Sequence, residues 1–370
     1  MPPIVILGAE GSQVSISFDE LAEDNRYLRY RLIHCDSNWN PTQILESDYV
    51  TGFNEAEVTS YALSEHTLAH YVHYDLTIPN ADMEPLISGN YLVQVFDEDD
   101  PNETLLQARF MVSENKAPLS VTVTSRTDND YNGRHQQLAV NADLEFANVD
   151  DPFNDLRLVI VQNGRSAAAH VLDKPLRIGV KSATYEHQPQ LIFPGGNEYR
   201  RFDISNVRYP GMGVYRYDLV DPYYHATLNA DAPRSESRYI YDEDQSGRFF
   251  VHELNSTDPD IDADYIMTHF ELQMPELKGQ DVYIDGDLVN RRLDSDSRMV
   301  YDEQLGAYVK SLMLKQGLYN YQYVTIPGGT ASIEGDNYET VNEYTILLYH
   351  KPPHARYERL IGTAVINSGK

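Results

Sequence analysis

Apolar and polar residues alternate with a period of two along much of this chain, and this pattern constrains the fold more than any other feature. Since successive side chains of a strand point to opposite faces of a sheet, the pattern predicts strands with one buried face. The clearest runs of apolar or aromatic positions are Leu138, Val140, Ala142, Leu144 and Phe146, and later Tyr319, Tyr321 and Tyr323. Turn-forming pairs such as Asn132-Gly133 and Asp285-Gly286 separate such runs. We therefore predict an all-β protein of antiparallel sandwiches, with less than about a fifth of its residues in helices.

The chain is too long for one hydrophobic core, so its strands must be divided among several domains. It has 370 residues, whereas single cores stop growing at roughly 250–300 residues. Two polar stretches, residues 113–118 and 231–247, interrupt the alternation and indicate linkers. We therefore predict three β-sandwich domains, an N-terminal one at residues 1–116, a middle one at 117–246 and a C-terminal one at 247–370.

Acidic residues heavily outnumber basic ones, which excludes several classes of partner. Asp and Glu total 57 against 29 Lys and Arg, so the formal net charge is -28. Nucleic acids and anionic lipid surfaces attract proteins through Lys and Arg, and neither is therefore an expected partner. No apolar run reaches the length of about 18 residues that crosses a bilayer as a helix, so we expect no direct membrane insertion.

Residues 242–253 imitate a calcium-binding loop. Asp242, Asp244 and Glu253, with Gly247 at the turn, have the spacing at which carboxylates surround a calcium ion. Loops of this kind lie between two helices, and neither flank here has a helical pattern. We interpret the segment as an acidic turn that leads into a strand, and we predict no metal site there.

Three histidines lie close together in the segment that is the best candidate for a helix. His66, His70 and His73 would share one face of a helix over residues 63–74, which is a spacing that suits zinc. The same segment also alternates acceptably as a strand, in which His73 points away from the other two. We interpret all three as surface and edge histidines.

No arrangement of residues typical of an enzyme is present. The chain lacks the G-x-S-x-G, phosphate-loop and dinucleotide-binding motifs, and its single cysteine, Cys35, has no activating sequence around it. One cysteine also excludes an intrachain disulfide. We predict no catalytic residues, no cofactor and no enzymatic activity.

The order of strands and turns in the C-terminal domain is similar to that of immunoglobulin-like early-set modules, which occur beside glycogen-acting enzymes. Residues 282–287, 299–302, 306–308 and 314–323 carry this resemblance. In those modules an aromatic residue after the first hairpin stacks on sugar rings, but the corresponding residues 290–293 contain no tryptophan. The resemblance therefore implies the fold alone.

Long motifs follow one another along nearly the whole chain. They include YRLIHCDSNWNP at residues 30–41, FPGGNEYRRFD at 193–203, DEDQSGRFFV at 242–251, NEYTILLY at 342–349 and RYERLIG at 356–362. With these motifs the chain resembles the plug proteins of the bacterial type IX secretion system. One of the motifs covers most of the acidic segment that imitates a calcium loop, which favours a structural role for it.

The resemblance implies a non-enzymatic periplasmic protein that closes the periplasmic end of the outer-membrane β-barrel translocon of type IX secretion. The implied partner is that barrel, and the free plug is expected to be a monomer. No secretion signal is visible at the start of the sequence, which then fits a mature form whose signal lies upstream. The alternative is a carbohydrate-binding or other accessory binding module of the cell envelope, for which Trp39 is the single available indole.

Tyr223 and Tyr224 are the candidate partner-binding residues. They follow the turn-forming pair Asp221-Pro222, so at least one of the two rings should lie outside the core. Exposed tyrosines are enriched at protein interfaces, and the loops of β-sandwiches carry binding. The alternative is that one ring belongs to the core and the other covers it.

Overall fold

The computed structural model describes residues 2–369, and its regular structure is almost entirely β. Strands hold 46% of the residues and helices 5%, which confirms the all-β prediction and the limit on helix. The helices are α1 (Glu46–Tyr49), α2 (Pro259–Asp262) and the 3-10 turns Ser166–Ala168, Pro189–Leu191 and Asp287–Val289. No helix among the described residues is both long and apolar enough to span a membrane.

The strands are numbered in order along the described chain. The first eight are β1 (Ile4–Ile6), β2 (Val14–Glu20), β3 (Leu28–Cys35), β4 (Ala56–Glu57), β5 (Ser60–Leu63), β6 (Val72–Ile78), β7 (Gly89–Asp97) and β8 (Asp100–Ser113). The next ten are β9 (Leu119–Thr124), β10 (His135–Asp143), β11 (Leu156–Gln162), β12 (His170–Leu172), β13 (Arg177–Ile178), β14 (Ser182–Tyr185), β15 (Ile192–Pro194), β16 (Arg200–Asp203), β17 (Val214–Val220) and β18 (Tyr223–Leu228). The last eight are β19 (Phe249–Val251), β20 (Tyr265–Gln273), β21 (Asp281–Asp285), β22 (Val300–Asp302), β23 (Ala307–Lys315), β24 (Gly317–Ile326), β25 (Glu343–His350) and β26 (Arg359–Asn367).

The first hydrophobic core lies between two sheets of the N-terminal segment. One sheet has the strand order β1-β8-β7-β3-β4 and the other β2-β6-β5. Aromatic rings from both sheets fill the core, including Tyr30, Tyr74 and the stacked pair Tyr91 and Phe110, whose centroids are 5.2 Å apart. Strands β5 and β6 pair through Leu63 and Val72. Residues 63–74 therefore comprise the last residue of β5, a loop and the start of β6, so the helix that we considered there does not form.

The second core combines the middle of the chain with its C-terminal end. One sheet has the order β13-β14-β10-β15 with β9 beside β10, and the other has the order β12-β11-β25-β26. Leu138, Val140 and Ala142 of β10 are buried in this core, as the alternation predicts. Phe146 does not continue the series. It lies beyond the end of β10 with 69% of its surface exposed, because the alternation persists only where the strand does.

The third core lies between the sheet β17-β18-β20-β23-β22 and the strands β16, β24 and β19, with β21 paired to β24. Tyr319, Tyr321 and Tyr323 of β24 are all buried here, which confirms the prediction that they line one inner face. Tyr321 and Tyr323 both donate their phenol hydrogens to one carboxylate oxygen, Oδ2 of Asp231, at 2.7 Å.

The hydrophobic cores divide the chain differently from the predicted linear boundaries. Strands β16 to β18, placed in the middle domain by the sequence, contribute to the third core. Strands β25 and β26, placed in the C-terminal domain, complete the second core because β11 pairs with β25 along its whole length. We propose three units on this basis: unit 1 at residues 2–114, unit 2 at 117–194 with 343–367, and unit 3 at 200–333.

Buried contacts join each pair of units, and those between units 1 and 3 and between units 2 and 3 are polar. Asp19 of unit 1 accepts hydrogen bonds from Lys315 and Tyr265 of unit 3 at 2.6 and 2.8 Å. Arg165 of unit 2 donates to Asp285 of unit 3 at 2.9 Å. Unit 1 meets unit 2 through its last strand, where Met111 packs with Leu347 and Tyr349 in a separate small cluster.

Candidate partner-binding edge

Strand β17 forms one edge of the five-stranded sheet of unit 3. Among the described residues it pairs with β18 alone, so its other side carries no neighbouring strand. A bulge between Val214 and Arg216 shifts the register, and Arg216 pairs with Asp218 at 3.1 Å on the same strand. A bulge and charged residues on an edge oppose the addition of a further strand. Contact at this edge would therefore rely on side chains.

Apolar and aromatic side chains are exposed along β17 and the segment before it. Tyr215 is 67% exposed and Leu219 63% exposed on the strand, and Tyr209 in the preceding segment is 73% exposed. Met212 and Val220 are also exposed. Single exposed apolar residues are ordinary, and their accumulation over a dozen or so residues makes this segment a candidate interaction surface. We call residues 209–220 the β17 edge.

Tyr223 and Tyr224 lie next to this edge, at the start of β18. The turn at Asp221 and Pro222 joins the two strands, so Tyr223 stands opposite Val220 and Tyr224 opposite Leu219. Both tyrosines are partly buried, and Tyr224 packs against the third core. Their location beside the exposed edge agrees with a role in partner binding, which stays a prediction. The packing of Tyr224 also gives it a structural role.

The more exposed residues of the β17 edge were missed by sequence reasoning. The letters VYRYDLV suggest that Tyr215 and Tyr217 share one face, since they are two positions apart. The bulge places an extra residue between the paired positions, so Tyr217 turns partly inward opposite Ala226 while Tyr215 remains exposed. A bulge depends on how two strands pair, so no local signal in the sequence predicts it.

Two histidines face each other on the outer side of the same sheet. His225 Nδ1 lies 2.9 Å from His269 Nε2, and His269 Nδ1 lies 2.7 Å from the hydroxyl of Ser311. Asp218 stands opposite His225 on β17. Partial burial, together with the neighbouring His225, lowers the pKa of His269. The neutral form of His269 is therefore favoured close to the exposed edge.

The carboxylates of residues 242–253 interact with protein donors. Asp242 forms an ion pair with Arg201, and Asp244 accepts hydrogen bonds from the backbone N–H groups of Tyr199 and Ser246. Glu253 accepts from the backbone N–H of Asn255 at 2.7 Å. This arrangement agrees with the interpretation of the segment as an acidic turn.

The three histidines of residues 63–74 have separate partners. His73 is buried and lies 2.6 Å from Asp19, whereas the exposed His70 lies 2.7 Å from Glu23. The interpretation of His73 as a surface histidine is therefore wrong, because β6 turns it into the junction between units 1 and 3. His66 is exposed beside Glu65 and Asp262. Among residues 2–369 these form the one group of three or more such side chains whose ligand atoms lie within metal-binding range.

The single tryptophan does not form an exposed platform. Trp39 is partly buried between units 1 and 2, and the guanidinium carbon of Arg109 lies 4.7 Å from its ring centroid. A sugar-stacking surface needs an open aromatic face. The indole therefore gives no support to the carbohydrate-binding alternative.

Comparison with known proteins places this all-β, multi-sheet chain in a secretion family. Residues 1–114 match the model of the type 9 secretion system plug protein 1st domain. The chain belongs to the family of type IX secretion plug proteins, as its motifs predict. It is also similar to a hypothetical protein from Parabacteroides merdae whose crystal structure is solved, with 37% identity over 99% of this chain and 93% of that chain and a TM-score of 0.97. No curated protein matches the chain significantly.

Proposed function

We propose that this protein is a non-enzymatic periplasmic plug that closes the periplasmic end of the outer-membrane β-barrel translocon of type IX secretion. The observation that carries the proposal is the match of residues 1–114 to the plug family. The net charge of -28 agrees with it, because a plug must not retain polyanions or adhere to anionic lipid while it waits for its partner. We also propose that its three units are immunoglobulin-like sandwiches.

The contacts between units supply the stiffness that a plug needs. Lys315 and Asp19 are each less than a tenth exposed in their side chains and join units 1 and 3. Glu114 and Arg359 join units 1 and 2, and Arg248 and Glu343 join units 3 and 2 at 2.5 Å. Because every unit is fixed to both others, none can swing away without breaking an ion pair. A body joined in this way can block a pore without bending through it.

The β17 edge, together with Tyr223 and Tyr224, is the contact surface that we assign to the translocon. Aromatic and aliphatic side chains at an edge that resists strand addition suit a reversible contact with a rigid partner. Tyrosine adds apolar contact area and keeps a hydroxyl for hydrogen bonding, so the surface tolerates water when the partner is absent.

Copurification tests this function. Outer membranes that contain an affinity-tagged copy of the protein are solubilised in mild detergent, and the tagged complex is isolated and sized. The proposal predicts that a very large β-barrel copurifies in a defined ratio. Recovery of the plug without a barrel, together with binding to envelope polysaccharide, would instead support the accessory binding module.

A further inference from the structure

Three side chains that can ligate a metal meet where units 1 and 3 touch. Glu65 and His66 lie in the loop between β5 and β6 of unit 1, and Asp262 ends helix α2 of unit 3. One ligand atom from each residue lies within 4.8 Å of the other two, and His66 Nδ1 is 3.6 Å from Asp262 Oδ1. Two ligands that are each about 2.0–2.1 Å from one tetrahedral zinc ion lie roughly 3.3 Å apart. The observed separation therefore needs only a small adjustment to hold an ion.

Hydrogen bonds fix the loop of unit 1 to unit 3 on both sides of this histidine. Before it, the backbone N–H of Glu65 donates to the carbonyl of Ile261 at 2.9 Å. After it, the carboxylate of Asp264 accepts hydrogen bonds from the backbone N–H groups of Leu68 and Ala69 at 2.9 and 3.0 Å. Because the two elements are joined by their backbones, the three ligand side chains are held close together before any ion binds.

The carboxylate of Asp262 is oriented by a neighbouring hydroxyl. Ser256 Oγ donates a hydrogen bond to Asp262 Oδ2 at 2.6 Å, and the other oxygen, Oδ1, faces the imidazole of His66. Metal-ligating carboxylates are commonly held by such an outer hydrogen bond. The backbone of His66 has a φ of 61°, which is uncommon for a residue with a side chain. Asp262 therefore presents one oxygen at the place where His66 presents a nitrogen.

The set of donor atoms selects the class of ion. One imidazole nitrogen and two carboxylate oxygens suit zinc, which takes four ligands, and water can supply the fourth. Calcium prefers six to eight oxygens, and these three side chains cannot supply that number. The two carboxylates match the double positive charge of the ion, and the net charge of -28 attracts cations to the protein.

We propose that Glu65, His66 and Asp262 bind a zinc ion that links unit 1 to unit 3. Because the ligands come from both units, the bound ion stabilises the same junction that Asp19 and Lys315 stabilise in the interior. Its role is structural. The proposal goes beyond the plug function and does not rest on it.

Calorimetric titration of zinc into the intact, chelator-treated protein tests the proposal. We expect one ion per chain with a dissociation constant on the order of 10 µM, weaker than that of four-ligand structural sites because the protein supplies only three ligands. Zinc at about 0.1 mM should then raise the melting temperature by about 3 °C, and calcium at the same concentration should not. The absence of saturable zinc binding would overturn the proposal.

Substitutions of the ligands and of matched histidines locate the binding. His66→Gln and Asp262→Asn should each weaken zinc binding by about tenfold or more, because each removes one of three ligands. The melting temperature of His66→Gln without zinc should equal that of the wild type, since the side chain of His66 is 83% exposed. Loss of zinc binding in this variant therefore cannot be attributed to unfolding.

Two control variants change histidines that also have close neighbours. His70 lies 2.7 Å from Glu23, and His225 Nδ1 lies 2.9 Å from His269 Nε2, but neither pair belongs to the group of three ligands. His70→Gln and His225→Gln should each leave the dissociation constant within about twofold of the wild-type value. If either control abolishes zinc binding while His66→Gln retains it, the ion lies elsewhere and the proposal is wrong.

Hydrogen exchange tests whether the ion links the two units. The backbone amides of Glu65, Leu68 and Ala69 donate to unit 3, so they exchange only when the junction opens locally. Zinc should slow their exchange in the wild type and leave it unchanged in His66→Gln. If zinc binds at His66 without slowing these amides, the ion does not stabilise the junction, and the proposed link is contradicted.

Discussion

Glu114 and Arg359 form a two-point ion pair at the junction of units 1 and 2. Arg359 Nε and Nη2 donate to the two carboxylate oxygens of Glu114 at 2.8 and 2.6 Å, and Glu114 is only 8% exposed in its side chain. Burial alone would raise the pKa of Glu114, but the hydrogen bonds and charges of Arg359 and Lys116 outweigh it and lower the pKa to about 2. The last residue of unit 1 is thereby fixed to β26, the last strand among the described residues.

This ion pair should make stability depend on acid pH. An unfolded glutamate titrates near pH 4.5, so the folded form binds its proton more weakly, and stability is lost as the pH falls from about 4.5 to about 2. Glu114→Gln should lower the free energy of unfolding at pH 7 by about 2 kcal/mol and flatten this acid dependence. Urea unfolding at evenly spaced pH values between about 2.5 and about 7 measures both effects.

The matched control for Glu114 is the surface pair of Lys181 and Glu145. Both side chains of that pair are about half exposed, so Glu145→Gln should change stability by less than about 0.5 kcal/mol. If both glutamine variants behave alike, the junction between units 1 and 2 does not depend on the buried pair.

Glu198 should have the opposite pH dependence. It is buried, and burial raises the pKa of its carboxyl to about 7 even though Tyr239 and the backbone of Val341 donate hydrogen bonds to it. The folded state therefore binds this proton more tightly than the unfolded state, and stability falls as the pH rises from about 4.5 to about 7. Glu198→Gln should raise the free energy of unfolding at pH 8 by about 1–2 kcal/mol, because it removes a buried charge. The two hydrogen bonds should persist, since both reach one oxygen of Glu198 and glutamine keeps one oxygen.

Thermal unfolding of Glu198→Gln at about pH 5 and pH 8 measures this effect. The gain should be present at the higher pH and nearly absent at the lower one, where wild-type Glu198 is protonated. A variant that is less stable than wild type at both values would show that the charged carboxylate stabilises the fold.

The pair of Asp19 and Lys315 should be strongly coupled. Burial lowers the pKa of Lys315, and Asp19 opposes this from 2.6 Å. Lys315→Met leaves Asp19 without its cation and should cost about 3–5 kcal/mol. The double variant Asp19→Asn, Lys315→Met should be more stable than the sum of the single effects implies, by at least about 1.5 kcal/mol. Chemical denaturation of the wild type, the two single variants and the double variant measures the coupling free energy. Strictly additive effects would mean that the two residues act separately.

The β17 edge should be required for translocon binding and dispensable for folding. The double variant Tyr215→Ser, Leu219→Ser should reduce the copurified translocon by tenfold or more, with stability changed by less than about 0.5 kcal/mol per site. Val300→Ser on the opposite edge strand β22 is the control, since Val300 is similarly exposed at 66%. Equal amounts of copurified translocon for the edge variant and the control would exclude the β17 edge as the translocon contact.

Tyr223 and Tyr224 should differ from each other when each is changed to alanine. Tyr224 packs against the third core, so Tyr224→Ala should cost about 2–4 kcal/mol, whereas Tyr223→Ala should mainly reduce translocon binding. Melting temperature and copurification are measured in parallel. Loss of stability in both variants would make the two rings a packing pair, and no change in either property would remove them from the interface.

The local patterns of the sequence predicted the strands well where a strand continues and poorly where it ends. Tyr319, Tyr321 and Tyr323 alternate and are buried, because one strand carries all three. Phe146 belongs to the same kind of pattern and is exposed, because β10 has ended before it. The end of a strand depends on where its partner strand ends, and a short stretch of sequence does not show which strand the partner is.

The sequence by itself determined the all-β class and the family, and it indicated which faces of several strands are buried. Those properties follow from alternation, turn residues and motifs, all of which are read over a few neighbouring positions. The tertiary structure alone decided that β11 pairs with β25, that Asp231 accepts hydrogen bonds from two tyrosines, and that Lys315 meets Asp19. Each of these contacts joins segments that are far apart in the chain. The packing and pairing of whole sheets bring these segments together, and local sequence preferences do not.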